Sequence, residues 1–267
     1  VMVGFYNTLL DVKPHLERLY KSAENLELTI PWSREELMFE LESIAGQIEA
    51  KKKYVRLLIT RGDGLGLSCD ESIKPNKIVY AFAAKVEPER LYQDGIKIKR
   101  KFDPTMERGP SAKTGNYLKS ILALHKAQKS GFDDILWTNA DHELRECSTA
   151  NIFFIGRQGD LVEVATPASS SGILMGITRE NIIRLLEASQ IPVTQRLIYA
   201  DEIPRFDEAF ICSTVRGLIP VQAIDDHRLH TARQKSVFRH IERLYLTWVQ
   251  SQLGVRVDWN TGEKVST

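Results

Sequence analysis

The segment at residues 146–153, ECSTANIF, joins a carboxylate to a run of apolar residues and decides how this part of the chain folds. The apolar run continues to Ile155, and a continuous run of this length predicts a buried strand. A second short strand is predicted at residues 135–137, and a turn that contains Asp and His separates the two strands. This part of the chain is therefore predicted to belong to a sheet.

Outward from this segment, strand and helix patterns alternate along the chain without internal repeats. An amphipathic helix is predicted from Asp11 or Lys13 to Leu28, and Ser33 with Glu36 three residues later forms a capping box that starts a second helix. Further helices are predicted at 116–130, 178–189 and 231–253, and strands at 54–60, 77–86, 95–102 and 209–212. Polar residues with a proline at 86–89 predict a linker. The chain is thus predicted to have an α+β fold with two domains, at residues 1–88 and 89–267.

The composition excludes several classes of protein. The 267 residues include 36 Lys and Arg against 35 Asp and Glu, a formal net charge of +1, whereas nucleic-acid-binding domains usually carry a basic excess. No apolar stretch reaches the roughly 18 residues that a membrane-spanning helix needs. The three separated cysteines, Cys69, Cys147 and Cys212, form neither a disulfide framework nor a paired metal motif. This pattern favours a reducing cytoplasm and indicates no metal site.

Four segments carry weak signals for chemistry when they are considered one at a time. Residues 176–178, GIT, lead into a helix and could bind an anion, although a simple helix cap is the more frequent role of such a threonine. Residues 212–214, CST, can form a phosphate-binding turn or an ordinary one. Lys113 precedes a helix, and spacing alone does not separate a nucleophile from a solvated lysine. Residues 62–66, GDGLG, resemble half of a dinucleotide fingerprint, but they connect two strands and start no helix, which argues against nucleotide binding.

Five short segments occur together in the order and with the spacing of one family. They are HLERL at 15–19, AKTGNYL at 112–118, ECSTANIF at 146–153, GITR at 176–179, and the stretch from Ser213 to Val221. On these segments the chain resembles the class IV pyridoxal 5′-phosphate (PLP) enzymes, which include branched-chain aminotransferases, D-amino-acid transaminases and aminodeoxychorismate lyases. The resemblance implies the fold type IV of PLP enzymes, with a small α/β N-terminal domain and a larger β-barrel-like domain that carries helices.

The resemblance implies catalytic roles for three residues. Lys113 is expected to form the Schiff base with the cofactor aldehyde and then to move a proton from Cα of the substrate. Glu146 is expected to face the pyridine nitrogen and keep it protonated, so that the ring accepts electrons. A solvated charge fits poorly at Glu146, between Leu144 and the apolar run. Tyr117 is expected to hydrogen-bond the phenolic oxygen of the cofactor.

The resemblance also implies a binding site for the phosphate of the cofactor. Its members are Arg18, the backbone N–H groups of Ile177 and Thr178, and the residues Ser213 and Thr214. This assignment accounts for the two weak anion signals. It also accounts for Arg18, which lies off the apolar stripe of its helix.

Substrate recognition is expected at two places. Tyr54 and Arg56 match a Tyr-x-Arg strand that lines the pocket of branched-chain aminotransferases, and strand alternation puts both on one face, opposite Val55. Two solvent-facing polar residues would explain this pattern equally well. The resemblance places Val215 in a turn whose backbone receives the substrate carboxylate. Arg216 stands where branched-chain enzymes have a small residue, so its cation is expected to bind a carboxylate and to favour acidic or D-configured substrates.

Other departures from the family leave the substrate open. Residues 146–151 lack the second Glu of branched-chain enzymes and are closer to the lyases, whereas the residues after Lys113 are not those of a lyase. The loop at 61–67 is closer to the aminotransferases. The chain opens as VMVGFY, which is typical of a strand interior and not of a signal peptide, so the family's first hairpin is expected upstream.

The expected function is a cytoplasmic PLP-dependent aminotransferase that acts on a branched-chain-like L-amino acid, with 2-oxoglutarate or glutamate as its second substrate. The partners expected are these small molecules and a second copy of the chain in a homodimer, with neither nucleic acid nor membrane. Three alternatives stay open: a D-amino-acid transaminase, an aminodeoxychorismate lyase, and a catalytically impaired homologue.

Overall fold

The computed structural model describes residues 1–64, 72–109, 112–158 and 161–265. The chain divides into two compact units. The first comprises Val1–Val86, Ala112–Thr114 and Gln252–Thr267, and the second comprises Glu87–Ser111 and Gly115–Ser251. The two domains expected at residues 1–88 and 89–267 stay a prediction, since the first unit also takes in two later segments of the chain.

The first unit is a four-stranded antiparallel sheet with helices packed on it. Its strands have the order β2-β1-β3-β4, and Val55 in β3 packs with Leu37 and Leu41 of α2 in the core. The elements are β1 (Met2–Phe5), β2 (Thr8–Leu9), α1 (Val12–Asn25), α2 (Arg34–Gly46), β3 (Lys52–Thr60) and β4 (Asn76–Ala83).

The capping box predicted at the start of α2 is confirmed. The Ser33 hydroxyl accepts a hydrogen bond from the Glu36 N–H at 3.1 Å, and the Glu36 carboxylate accepts one from the Ser33 N–H at 2.7 Å. These bonds satisfy two N–H donors at the start of the helix. That of Glu36 belongs to the first turn, where N–H groups have no acceptor within the helix. The local sequence therefore determines where this helix begins.

The second unit is built on a mixed sheet of nine strands, with the order β10-β9-β8-β11-β12-β5-β6-β7 and with β13 paired to β12. Its elements are α3 (Arg90–Gln93), β5 (Ile96–Phe102), α4 (Leu118–Lys129), β6 (Asp134–Thr138), β7 (Leu144–Cys147), β8 (Asn151–Gln158), β9 (Leu161–Pro167), α5 (Ile177–Ala188), β10 (Val193–Arg196), β11 (Glu208–Ser213), β12 (Gly217–Ile224), β13 (His227–Arg228) and α6 (Val237–Leu253). Two 3₁₀ turns lie at Ser169–Ser171 and Ala200–Arg205. The mixture confirms the predicted α+β class.

The apolar run that follows Glu146 forms β8, as predicted, and β8 lies inside the sheet between β9 and β11. Consecutive residues of the run, Phe153 and Phe154, are both fully buried, so both faces of the strand are covered. The ring of Phe153 stacks on that of Phe210 in β11 with centroids 4.9 Å apart. A strand buried on both faces needs apolar residues without alternation, which is what the sequence provides.

Tertiary contacts determine the buried face of one helix and the start of another. In α4 the buried positions are Ala123 and Ala127, while the larger Leu118, Ile121 and Leu122 are more than half exposed. The last helix was predicted from residue 231 but begins at Val237, which corrects that boundary. The reason is tertiary, because the Glu208 carboxylate accepts hydrogen bonds from the N–H groups of Val237 and Phe238 and so caps the helix there. Within the described ranges, no helix is both long and apolar enough to span a membrane.

Candidate active site

In the first unit, the charges of Lys113 and Arg18 both act on the imidazole of His15, which lies on helix α1. The Lys113 main-chain N–H donates to the Ser22 hydroxyl at 3.2 Å, which ties this short segment to α1. Burial lowers the pKa of His15 well below 6.5, and nearby positive charges, including those of Arg18 and Lys113, lower it further. His15 is therefore neutral at neutral pH. A cluster of positive charges around a neutral imidazole suits the binding of an anion.

The guanidinium of Arg18 is oriented by His15. Arg18 Nη2 lies 3.3 Å from His15 Nδ1, and arginine can only donate, so Nδ1 is the acceptor and its proton is on Nε2. The sequence indicated Arg18 for the phosphate, while it gave no role to His15 or Ser22. The spacing of His15 and Arg18 by three residues on one helix was the signal that could have linked them.

Tyr54 and Arg56 share one face of strand β3, as alternation predicts. Val55 between them is fully buried against the helices. On the face of Tyr54, its ring stacks on that of Phe82 with centroids 4.6 Å apart, and the Arg56 guanidinium carbon lies 6.0 Å from the centre of the Tyr80 ring. Tyr80 and Phe82 belong to β4, and their alternation along that strand was a signal that sequence reasoning missed.

In the second unit, two hydrogen bonds fix the carboxylate of Glu146 at the end of β7. Its Oε2 accepts from the N–H of Leu174 at 3.0 Å and from the amide Nδ2 of Asn151 at 3.3 Å. The Asn151 amide also donates to the carbonyl of Leu174 at 2.9 Å. These bonds hold the Glu146 carboxylate in one orientation.

The start of helix α5 offers N–H groups for an anion. The helix begins at Ile177, and its N-cap is Gly176, which has no side chain with which to cap it. The first N–H groups of a helix have no partner within it, and they carry a partial positive charge. Ile177 and Thr178 are buried. Gly176 itself is required for space, since a Cβ there would lie 2.1 Å from Oδ1 of Asn151.

Arg179 fixes the first turn of α5 from within the protein. Its side chain is fully buried and donates to the Pro167 carbonyl at 2.9 Å and to Gln195 Oε1 at 3.0 Å. The residue forms an ion pair with Glu180 as well. Arg179 therefore holds the first turn of α5 against the segments that contain Pro167 and Gln195.

Three further predicted residues lie in the turn between β11 and β12. Ser213 ends β11, and Thr214 and Val215 follow it, all half-buried. In the same turn, Arg216 Nη2 forms an ion pair with the buried Asp134 at 3.0 Å. Burial alone would lower the pKa of Arg216, but the charge of Asp134 and its hydrogen bond outweigh this and raise the pKa.

The predicted residues are thus divided between the units. Arg18, Tyr54, Arg56 and Lys113 lie in the first, and Tyr117, Glu146, Ile177, Thr178, Ser213, Thr214, Val215 and Arg216 lie in the second. Tyr117 is half-buried and immediately precedes α4. In the predicted loop at residues 62–66, Leu65 and Gly66 lie outside the described residues.

The two described cysteines are buried free thiols. Burial raises the pKa of Cys147 well above its ordinary value and that of Cys212 to about 12. A thiol with a raised pKa is a poor nucleophile, so neither is placed to react. Cys69 lies outside the described residues.

Known proteins resemble this chain over most of its length. The family model described as "Amino-transferase class IV" matches residues 3–224. A putative branched-chain-amino-acid aminotransferase from Methanocaldococcus jannaschii is 28% identical over 92% of this chain and 84% of its own length. The D-alanine aminotransferase of Listeria monocytogenes is also 28% identical, over 95% of this chain and 87% of its own.

A solved structure, that of a putative 4-amino-4-deoxychorismate lyase from Legionella pneumophila, superposes with a TM-score of 0.80 over 93% of this chain and 88% of its own. At 20% identity this likeness shows the fold alone. The chain belongs to the class IV aminotransferases, and it is a PLP-dependent aminotransferase.

The residues present fit this cofactor. PLP combines a phosphate, a pyridine nitrogen that is basic and an aldehyde. The start of α5, whose N-cap is a glycine without room for a side chain, suits the phosphate. In the same unit, the fixed carboxylate of Glu146 suits the ring nitrogen.

Proposed function

We propose that this aminotransferase transfers the amino group of a branched-chain-like L-amino acid to 2-oxoglutarate. In the reverse direction, it transfers the amino group of glutamate to the corresponding 2-oxo acid. The observation that carries the aminotransferase chemistry is the carboxylate of Glu146, which two hydrogen bonds hold in one orientation. An anion fixed in this way can keep a pyridine nitrogen protonated. Bound PLP supplies an electron sink for the pair of electrons left on Cα of the substrate.

The remaining residues act on binding and on proton transfer. Lys113 Nζ would hold the cofactor, and its free amine would accept the proton that leaves Cα of the substrate. The Tyr117 hydroxyl would donate a hydrogen bond to the phenolic oxygen of the cofactor. Arg18, the N–H groups of Ile177 and Thr178, and the residues Ser213 and Thr214 bind the phosphate.

Support for the substrate comes from one face of the sheet in the first unit. Tyr54 and Arg56 share this face with the rings of Tyr80 and Phe82, so a cation lies among apolar surfaces. Such a surface suits both an apolar side chain and the second carboxylate of glutamate. Val215 offers its backbone to the α-carboxylate. Arg216 could serve the same carboxylate only by sharing its bond with Asp134.

Half-reactions of the PLP-loaded enzyme test the proposal. L-leucine and L-glutamate should each bleach the visible absorbance of the bound cofactor, and Lys113→Ala should lose that absorbance. Bleaching by D-alanine or D-glutamate instead would assign the protein to the D-amino-acid transaminases, which the Listeria monocytogenes relative favours. Release of pyruvate and 4-aminobenzoate from aminodeoxychorismate would identify a lyase. If the unaltered protein with added PLP shows no absorbance band of a bound cofactor, the chain is an impaired homologue.

We also propose that the enzyme is a cytoplasmic homodimer. The exposed face of α4, formed by Leu118, Ile121 and Leu122, supports a second copy as partner, since large apolar residues at this spacing form one stripe on a helix. The two buried free thiols are in keeping with a reducing compartment.

A further inference from the structure

Asp134, at the start of strand β6, is a buried carboxylate with three partners on three segments of the second unit. Its exposed fraction is 1%. Oδ1 accepts from the N–H of Ile135 at 2.8 Å and from the N–H of Ser148 at 3.2 Å, and Oδ2 pairs with Arg216. A buried carboxylate is stable only when its oxygens are bonded, so these contacts are linked to one another through Asp134.

The partners of Asp134 lie beside residues that the proposed function uses. Ser148 is two positions after Glu146, and Arg216 is two positions after Thr214. The same Nη2 of Arg216 lies 3.4 Å from the hydroxyl of Thr149. In the sheet order, β12 and β5 separate β11 from β6, so backbone pairing does not join these two strands directly. The side chains of Asp134 and Arg216 make that connection.

The turn that contains Arg216 is also held through its main chain. The hydroxyl of Tyr92 on α3 donates to the carbonyl of Arg216 at 3.1 Å. The side chain of Arg216 is about one-fifth exposed, and its charge is balanced by Asp134. A substrate carboxylate would therefore meet an ion pair of nearly zero net charge, which attracts it far less than a single cation would.

We infer that Asp134 and Arg216 are positioning residues that hold the β11–β12 turn, and with it Ser213 and Thr214, in place for the phosphate of the cofactor. This inference rests on the proposed role of those two residues. It predicts that the pair acts on phosphate binding and that neither member binds substrate directly.

A double-mutant cycle tests the inference with apo-protein. The variants are Asp134→Asn, Arg216→Met and the two combined, and the readout is the dissociation constant for PLP compared with that for pyridoxal, which lacks the phosphate. Each single variant should weaken PLP binding by about tenfold or more, because the turn with Ser213 and Thr214 loses the charged hydrogen bond that holds it in place. Pyridoxal binding should change little. The combined variant should bind PLP no more weakly than the single variant with the lower affinity, since both substitutions remove the same interaction.

Asp225→Asn is the matched control within the same unit. Asp225 accepts from the Arg100 N–H at 3.0 Å and pairs with the Arg100 guanidinium, so it has the same chemistry as Asp134. It joins β5 to the turn after β12, away from Ser148 and the β11–β12 turn. This variant should leave the preference for PLP over pyridoxal unchanged, and melting curves of all variants report whether they fold. If Asp134→Asn does not fold, Arg216→Met, at a partly exposed turn position, still provides the test.

Two results would overturn the inference. Unchanged PLP affinity in both single variants would show that the pair does not position the turn. A raised KM for 2-oxoglutarate in Arg216→Met, with PLP affinity unchanged, would show that Arg216 binds the substrate carboxylate itself. If the unaltered protein binds no PLP at all, the proposed function fails, which is a different outcome from these two.

Discussion

Glu146, Asn151 and Gly176 form a cluster in which the position of each side chain relies on its neighbour. The Asn151 amide holds the Glu146 carboxylate, and Gly176 leaves the space that Asn151 occupies. The motif segments ECSTANIF and GITR therefore meet in the structure through a side chain that neither pattern explains alone. The two segments are far apart in the sequence, so their contact through Asn151 is visible only in the fold.

Gly176→Ala should destabilise the protein by about 1–3 kcal/mol, because the new Cβ would displace the Asn151 side chain. Urea denaturation measures the change. Gly46→Ala is the control with the opposite sign. A Cβ at Gly46 meets nothing within 4 Å in the described structure, and alanine in a helix should stabilise by about 0.5–1 kcal/mol. Equal effects of the two substitutions would contradict the steric explanation.

Glu143 predicts a loss of stability in acid. Hydrogen bonds from the Arg108 guanidinium hold the pKa of this fully buried carboxyl below its ordinary 4.5, with a further contribution from Asn139. Because the unfolded chain has the higher pKa, it binds more protons in acid, so this contribution to stability is present above about pH 4.5 and decreases as the pH falls below it. Glu143→Gln should reduce the difference in urea midpoint between about pH 6 and pH 4.

Glu187 serves as the control for this pH experiment. It lies exposed on α5, and Glu187→Gln should leave the pH dependence of the urea midpoint as it is in the unaltered protein. If Glu143→Gln behaves in the same way as this control, the Arg108 pair does not contribute to acid stability.

At the scale of elements, local sequence predicts boundaries where the capping groups are local. Helix α2 begins where Ser33 and Glu36 predict, and α4 is followed by Gly131, whose φ of 81° is the left-handed conformation expected after a helix end. Helix α6 begins six residues later than predicted, because its cap is Glu208, from a strand far away in sequence. No local pattern could have located that cap.

Ser33→Ala tests the capping box of α2. Loss of the hydroxyl leaves the Glu36 N–H without its acceptor and should cost about 1 kcal/mol in thermal or urea denaturation. Ser43→Ala on the exposed side of the same helix should have no cost or a slight gain, since alanine is the better helix former. A similar loss at both positions would indicate a general effect of the helix and not a cap.

At the scale of the whole molecule, the exposed stripe on α4 has consequences for assembly. Helical periodicity alone would turn Leu118, Ile121 and Leu122 toward a core, but the structure buries the small Ala123 and Ala127 and leaves the large residues outside. Small residues allow close packing of the helix on the sheet, where Ala123 and Ala127 contact Ile135 and Trp137. The large ones remain available to a partner.

Ile121→Asp should shift the proposed homodimer toward monomer, because a charge would be buried at the contact between the two copies. Light scattering at micromolar concentration measures the mass. Leu161→Asp is the control, since Leu161 is an exposed apolar residue on β9, away from this stripe. A dimer that survives Ile121→Asp would contradict the placement of the interface on α4.

The sequence by itself determined the α+β class, the start of α2, the buried strand β8 and the family, because these depend on short segments and on local periodicity. Only the tertiary structure decided which groups hold two of the site residues: Asn151 for Glu146 and Asp134 for Arg216. It also decided which face of α4 is buried. The physical reason is that a buried polar group must find its partner in space, and the partner's position along the chain leaves no periodic signal.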